Sequence, residues 1–381
     1  MKRFQCAHNQ VFFENTHCLA CERGLGFIPE LLEIKPLLLA DTGNYRLADH
    51  TLEGREFRKC ANYSGPNVCN WMIPVEDNHP FCIACRLNQT IPDLSYPQNR
   101  DYWREIEQAK RRLLFTLLSL ELPIIGRDED PQYGLAFAFL ADQTLQAESE
   151  FTDDSAAGSP IMTGHSQGLI TINIAEADAG YRERIRQQMN ESYRTLLGHF
   201  RHEVGHYYWY RLIFNSHWHS DFVRLFGDES KHYQQALKAY YDHGPPYNWQ
   251  DFHISAYATA HPWEDWAECW AHYLHIMDTL ETAHCSRLLS RDNPLSNMRR
   301  RSDQSLLLVM QQMSIQDILG VWIDLSVALN NINRSIGLGD FYPFVISDSV
   351  MDKLAFIHRL VGEQAASRRK DSVVPFPVES R

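Results

Sequence analysis

The sequence predicts an α+β protein with three parts: a cysteine-rich ribbon domain at 1–98, a mainly helical domain with a small sheet at 99–365, and a disordered tail at 366–381. Three observations carry this. Seven of the nine cysteines fall within the first 85 residues. Beyond residue 100 most segments repeat apolar residues every three or four positions, the spacing of a helix with one buried face. Two short apolar runs, 134–140 and 168–174, are the exceptions and read as strands.

Composition sets the outer limits. A chain of 381 residues that is 44% hydrophobic can bury a core and is long enough for two domains. Its 36 basic and 48 acidic residues leave a net charge of -12, which argues against nucleic acid as the main partner. No apolar run reaches the length of a membrane span, and Met1-Lys2-Arg3 leads into Cys6 and polar residues without a hydrophobic signal region. The expectation is therefore a cytoplasmic protein with no membrane partner.

The N-terminal cysteines come as Cys6, Cys18-x-x-Cys21, Cys60, Cys69 and Cys82-x-x-Cys85. A CxxC pair can place two thiolates on one metal through a tight turn, so two such pairs predict zinc ribbons. Cys60, Cys69, Cys82 and Cys85 make a complete four-thiolate set. Cys6, Cys18 and Cys21 make three, and His8 is the nearest candidate for the fourth position. One or two structural zinc ions are expected, though pairing could cross between the sets. The odd number of thiols, without an export signal, weighs against disulfides. Short apolar stretches at Val11–Thr16 and Gly24–Phe27, broken by turn residues, suit ribbon strands.

After Tyr96-Pro97, the residues Trp103, Ile106, Ala109, Leu113, Leu117 and Leu120 mark a helix. Gly134–Leu140 reads as a strand buried on both faces, whereas Gly168–Ile174 alternates. The second is a candidate for an exposed edge on which an extended substrate could pair, with an ordinary sheet strand as the alternative.

Apolar residues at Ile185, Met189, Tyr193, Leu196, Phe200, Val204 and Tyr207 predict one helix, and it carries His202-Glu203-Val204-Gly205-His206, an HExxH. Residues four apart share a helix face, so the two imidazoles can converge on one ion with Glu203 beside it. Zinc with three protein ligands keeps a position for water and lowers its pKa, and Glu203 is placed to take the proton as general base. That is the chemistry of amide-bond hydrolysis. A third ligand must come from elsewhere. Pro262 suits a first helical turn, and the helix it opens carries Glu264 and Glu268 on one face. Two carboxylates at that spacing repel unless a cation lies near. Asp265, His261 and His253 are alternatives, although Asp265 would point away from the face shared by Glu264 and Glu268. His199, one turn before His202, and His272 and His275, further along the second helix, read most simply as packed side chains.

HExxH followed by a helix bearing ExxxE resembles the gluzincin arrangement. Ser255-x-Tyr257-Ala, with Tyr257 seven residues before Glu264, resembles its lethal-factor-type branch. The ribbon followed by His202-Glu-Val-Gly-His-Tyr-Tyr-Trp209 makes nearly the whole chain similar to the "putative zinc-binding metallopeptidase" family. The resemblance extends to the Arg86–Ser95 segment and departs at His8 and Asn9, where another cysteine is expected. It implies a gluzincin-like catalytic domain in which Glu264 is the third zinc ligand. Glu268 would orient a ligand histidine, and Tyr257 would donate to the oxyanion. The function it implies is zinc-dependent hydrolysis of a peptide or protein substrate. A different class of reading makes the chain a binding module whose ribbon recognises a protein, or nucleic acid, with an inactive or structural HExxH site.

The last third reads as helical. Apolar spacing marks Leu306–Met313, Ile315–Leu329 and Val350–Val361, and Asn330–Ser335 reads as caps and turns.

Overall fold

In the computed structural model of the chain, the described residues are 2–6, 9–49, 51–141, 163–189, 191, 194–290, 292–297 and 305–371. They fall into two compact units. One gathers Lys2–Phe115 and Ile124–Tyr207, and the other gathers Thr116–Pro123 and Tyr208–Arg381. Strands and helices both contribute, so the architecture is α+β, with a ribbon at the N-terminus and a largely helical remainder bearing a small sheet.

In the first unit, β1 (Phe4–Cys6) and β2 (Asn9–Val11) form a hairpin. β3 (Leu25–Ile28), β4 (Glu33–Leu39), β5 (Tyr45–Leu47), β6 (Phe57–Lys59) and β7 (Met72–Pro74) follow as an antiparallel meander in sequence order. A short helix, α1 (Ala61–Ser64), leaves β6. The ribbon core is aromatic: Phe13 packs edge-on against Phe27 at 5.1 Å and against Phe115 at 5.6 Å, and Phe27 lies 4.6 Å from Trp71. Such contacts add to simple area burial by about 1 kcal/mol each.

A second sheet has the order β10-β11-β9-β8, built from β8 (Asn88–Thr90), β9 (Ala136–Leu140), β10 (Gly164–Ser166) and β11 (Leu169–Asn173). β9 runs parallel to both neighbours and is buried from Ala136 to Phe139. β11 is not an edge strand. It pairs antiparallel with β10 on one side and parallel with β9 on the other, so the expectation of an open edge at Gly168–Ile174 is corrected, and the outer position on that side belongs to β10. The alternation in 168–174 records two unlike faces, not a missing neighbour.

α2 (Pro97–Ser119) lays Trp103, Ile106, Leu113 and Leu114 into the core. It also buries charge. Glu107 accepts from Lys110 Nζ (2.9 Å), Trp103 Nε1 (3.2 Å) and Asn88 Nδ2 (2.6 Å), and the Lys110 ammonium lies 5.5 Å from the Phe137 ring centre. A carboxylate with no exposed surface is tolerable only with partners of this kind.

The single helix expected across 185–207 is two helices, α3 (Ala179–Gln188) and α4 (Leu196–Tyr208). α3 is capped by the Asp178 carboxylate, which accepts from the Tyr181 N–H. A new start is set at Thr195, whose Oγ1 accepts from the Gly198 N–H. Side-chain oxygens that satisfy first-turn donors begin helices and interrupt what apolar spacing alone would continue. Tyr193, counted in the apolar stripe, lies outside the described residues.

The second unit is helical. After a π-helical turn at Trp209–Ile213 come α5 (His219–Phe226), α6 (Tyr233–His243), α7 (Pro262–Ser286), α8 (Leu306–Met310), α9 (Ile315–Ser335) and α10 (Asp348–Asp371). α7 is the central element, with Trp266, Trp270, Leu274, Met277 and Leu280 fully buried. Its N-terminus is built by Pro262 and by His261, whose Nδ1 accepts from the Trp263 N–H. α9 continues through Asn330–Ser335, read from sequence as caps and turns. There Arg334 pairs with Asp340 at 2.7 Å and the Asn333 side chain donates to the Gly339 carbonyl, so these polar residues secure the following loop from the last helical turn. α10 runs past residue 366, where a disordered tail was expected to begin; 372–381 lie outside the described residues. Among the described residues no helix is long and apolar enough to cross a membrane.

Candidate metal centres

The four cysteines expected to act together do converge. The Sγ atoms of Cys60, Cys69, Cys82 and Cys85 all lie within 4.8 Å of one another, and all four side chains are buried. Cys69 and Cys82 are separated by 3.8 Å. A disulfide would require about 2.05 Å, whereas the edge of a tetrahedron with metal–sulfur bonds of about 2.3 Å is about 3.8 Å. Main-chain N–H groups of Trp71 and Cys82 point at Cys69 Sγ (3.3 Å) and Cys60 Sγ (3.4 Å). Sulfurs that accept N–H bonds are suited to the thiolate form, the form that binds metal. As a free thiol Cys82 would resist ionisation, because burial raises its pKa well above 9. A cation shared by the four sulfurs removes that penalty.

Cys6, Cys18 and Cys21 form a second group, with Cys6 and Cys21 at 3.3 Å. Cys6 ends β1, and the Cys18–Cys21 turn is closed by the Glu22 N–H donating to the Cys18 carbonyl, with Glu22 at φ 55. His8, expected as a fourth ligand, lies outside the described residues. Cys269 and Cys285 belong to neither group, and Cys285 is only half-buried.

The three residues expected around a catalytic ion are His202, His206 and Glu264. α4 supplies the first two. Phe200 packs on Phe137 (5.6 Å) and Phe139 (6.4 Å), and Val204 and Tyr207 continue that buried face, with the Tyr207 hydroxyl on the main chain of Ile125. Packing thus fixes the rotation of the helix and leaves His202 and His206 half-buried with ring centres 5.1 Å apart, while Glu203 is buried. Two imidazoles and a carboxylate are the donor set of zinc sites that retain an open position.

α7 supplies Glu264 from its first turn, where unsatisfied N–H groups favour a carboxylate. Its Oε1 accepts from the Tyr233 hydroxyl at 2.7 Å. One turn on, Glu268 Oε2 accepts from Ser255 Oγ at 2.6 Å. Tyr257 opens the turn Tyr257–Thr259 and is half-buried, its ring edge-on to Tyr240 at 5.7 Å. The competing residues are engaged elsewhere. Asp265 pairs with Lys353 at 2.6 Å and sits 3.7 Å from His253, and His261 caps α7 and reaches the Lys231 carbonyl. His272 meets Tyr342 and Phe344, and His275 meets Trp322 and Phe341.

Two neighbours, His165 and Tyr233, carried no sequence signal. His165, on β10, stacks on His206 at 5.8 Å. Burial, and then His206, hold its pKa down to about 3, and its Nε2 accepts from the Gly168 N–H, so it is a neutral imidazole with its proton on Nδ1. His199 is likewise kept neutral, by burial first and by Arg194 second. It sits 3.6 Å from Glu176, which Arg194 engages at 2.6 Å. His165 and Tyr233 lie 41 and 31 residues from His206 and Glu264, which they touch, too far for any local pattern to join them.

Comparison with known proteins agrees with the donor chemistry. Residues 3–96 match a zinc-ribbon domain and residues 99–360 match the family described as "Putative zinc-binding metallo-peptidase". An uncharacterized protein of Mycobacterium bovis and two of Mycobacterium tuberculosis, from strains CDC 1551 and H37Rv, are each 40% identical over 368 residues, spanning 96% of both chains. No solved structure matches. With a zinc-ribbon domain ahead of it and most of its length matched by the second model, the chain belongs to the zinc-binding metallopeptidase family that this model describes.

Proposed function

We propose that the protein is a gluzincin-like, zinc-dependent peptidase acting on peptides or proteins, with His202, His206 and Glu264 as ligands of the catalytic ion. The observation that carries the reading is the placement of His202, Glu203 and His206 on one helix, α4, within the residues that match the zinc-binding metallo-peptidase model. Zinc in such a site supplies a lowered pKa for water and polarisation of the scissile carbonyl.

The remaining work falls to the chain's own groups. Glu203, buried and between the two histidines in sequence, takes the proton of the attacking water and delivers it to the departing amine. Tyr257 donates its hydroxyl proton in a hydrogen bond to the oxyanion as the carbonyl carbon becomes tetrahedral. Glu268, held by Ser255, orients a ligand histidine. The cysteine groups hold structural zinc in the ribbon, which is also the surface suited to a protein partner.

Glu203→Gln tests this reading. The amide keeps the shape and removes the base, so zinc content should stay as in wild type while cleavage of a mixed peptide library falls by about 100-fold or more. Cleavage at the wild-type rate by the variant would reject the assignment. If wild type cuts nothing and the site holds zinc with a fourth protein ligand, the binding-module reading replaces it.

A further inference from the structure

Tyr233 lies outside both motifs, on α6, yet its hydroxyl donates to Glu264 Oε1 at 2.7 Å. Its ring is fixed by two residues from the entry of α7, edge-on to His261 at 5.1 Å and tilted against Trp263 at 5.8 Å. His261 in turn reaches the Lys231 carbonyl just ahead of α6. α6 and the start of α7 are thereby tied by ring contacts and hydrogen bonds around one carboxylate. Glu264 itself has only 1% of its surface exposed.

A buried carboxylate that must present one oxygen to a cation gains from a donor on the other. Such a bond holds the carboxylate plane, stabilises its ionised form and spares the ligand rotamer entropy when the metal arrives. Resting on the proposed zinc site, we infer that Tyr233 is a positioning residue that holds the Glu264 carboxylate in its ligating orientation and so sets the affinity of that site for zinc. Its role differs from that of Tyr257, which acts on the substrate oxyanion.

The test uses the full chain and reads zinc affinity by chelator competition, with the cysteine-bound zinc as an internal reference. Tyr233→Phe keeps the ring and its packing and removes only the hydroxyl. It should weaken the His202/His206/Glu264 site by about 10- to 100-fold and leave the cysteine-bound zinc untouched; Tyr257→Phe should leave zinc affinity as in wild type. A double-mutant cycle separates positioning from packing: with Glu264→Ala in place, adding Tyr233→Phe should cost nothing further. Wild-type affinity in Tyr233→Phe overturns the inference and leaves the zinc site standing. A full additional loss in the Glu264→Ala background also overturns it, because the hydroxyl would then act through something other than that carboxylate. If wild type binds no more zinc than His202→Ala, the site reading fails, and the inference fails with it.

Discussion

Tyr63 shows how much one side chain can decide in the ribbon. Its hydroxyl reaches the main-chain carbonyls of Leu25 (2.6 Å) and Thr16 (3.1 Å), joining α1 to a strand almost forty residues earlier. Burial, and then the neighbouring Tyr45 and Cys69, push its pKa up to about 12 from an ordinary value of 10. A phenol that ionises later in the folded chain than in the unfolded one contributes stability present below pH 10 and lost as the pH rises through about 12. Tyr63→Phe should therefore remove one late tyrosinate from the absorbance titration at high pH. An unchanged titration curve above pH 11 would show that Tyr63 ionises with the exposed tyrosines. The sequence could not single this residue out among 17 tyrosines, because its partners are carbonyls, which carry no residue identity. His202, Glu203 and His206 could be read directly, since their spacing is itself the geometry: one helical turn brings them together whatever surrounds them.

Elements were legible in kind and less so in extent. The apolar runs at 134–140 and 168–174 gave two strands of the four-stranded sheet, because a short continuous apolar run and an alternating one are both local signals. Which strand lies at the edge depends on segments that carry no such signal, and β10 lies at residues 164–166 within a polar stretch. The β10–β11 connection turns at Gly168, with φ +80, where a Cβ would lie 2.4 Å from the Gly134 carbonyl oxygen and 2.5 Å from that of Tyr133. Backbone atoms cannot move aside as a flexible side chain does. Gly168→Ala should lower stability by about 1–3 kcal/mol, read from the denaturant midpoint, and an unchanged midpoint would mean that this turn rearranges freely. Capping decided the helices in the same way. Thr195 ends the continuity that apolar spacing implied between residues 185 and 207, and α9 runs through polar residues that read as a stop.

For the whole molecule, the thiolate groups are expected to be the largest single contribution to the stability of the ribbon, whose strands are mostly three or four residues long. Structural zinc in small domains contributes on the order of 10 kcal/mol to folding. Cys69→Ser should lose one zinc per chain and expose residues 3–96 to limited proteolysis, with the His202/His206/Glu264 site still loaded; retention of all bound zinc by the variant would show that Cys69 is not a ligand. By itself the sequence determined what depends on short spacing: the α+β class, the ribbon cysteines in pairs, and the HExxH and ExxxE faces, each set by the pitch of one turn or one helix. Only the tertiary structure brought Cys60, Cys69, Cys82 and Cys85 together as one group, engaged Asp265 with Lys353, and set Tyr233 on Glu264 and His165 on His206. Those pairings join segments tens of residues apart, and they are fixed by packing and hydrogen bonding across the fold, which no local periodicity encodes.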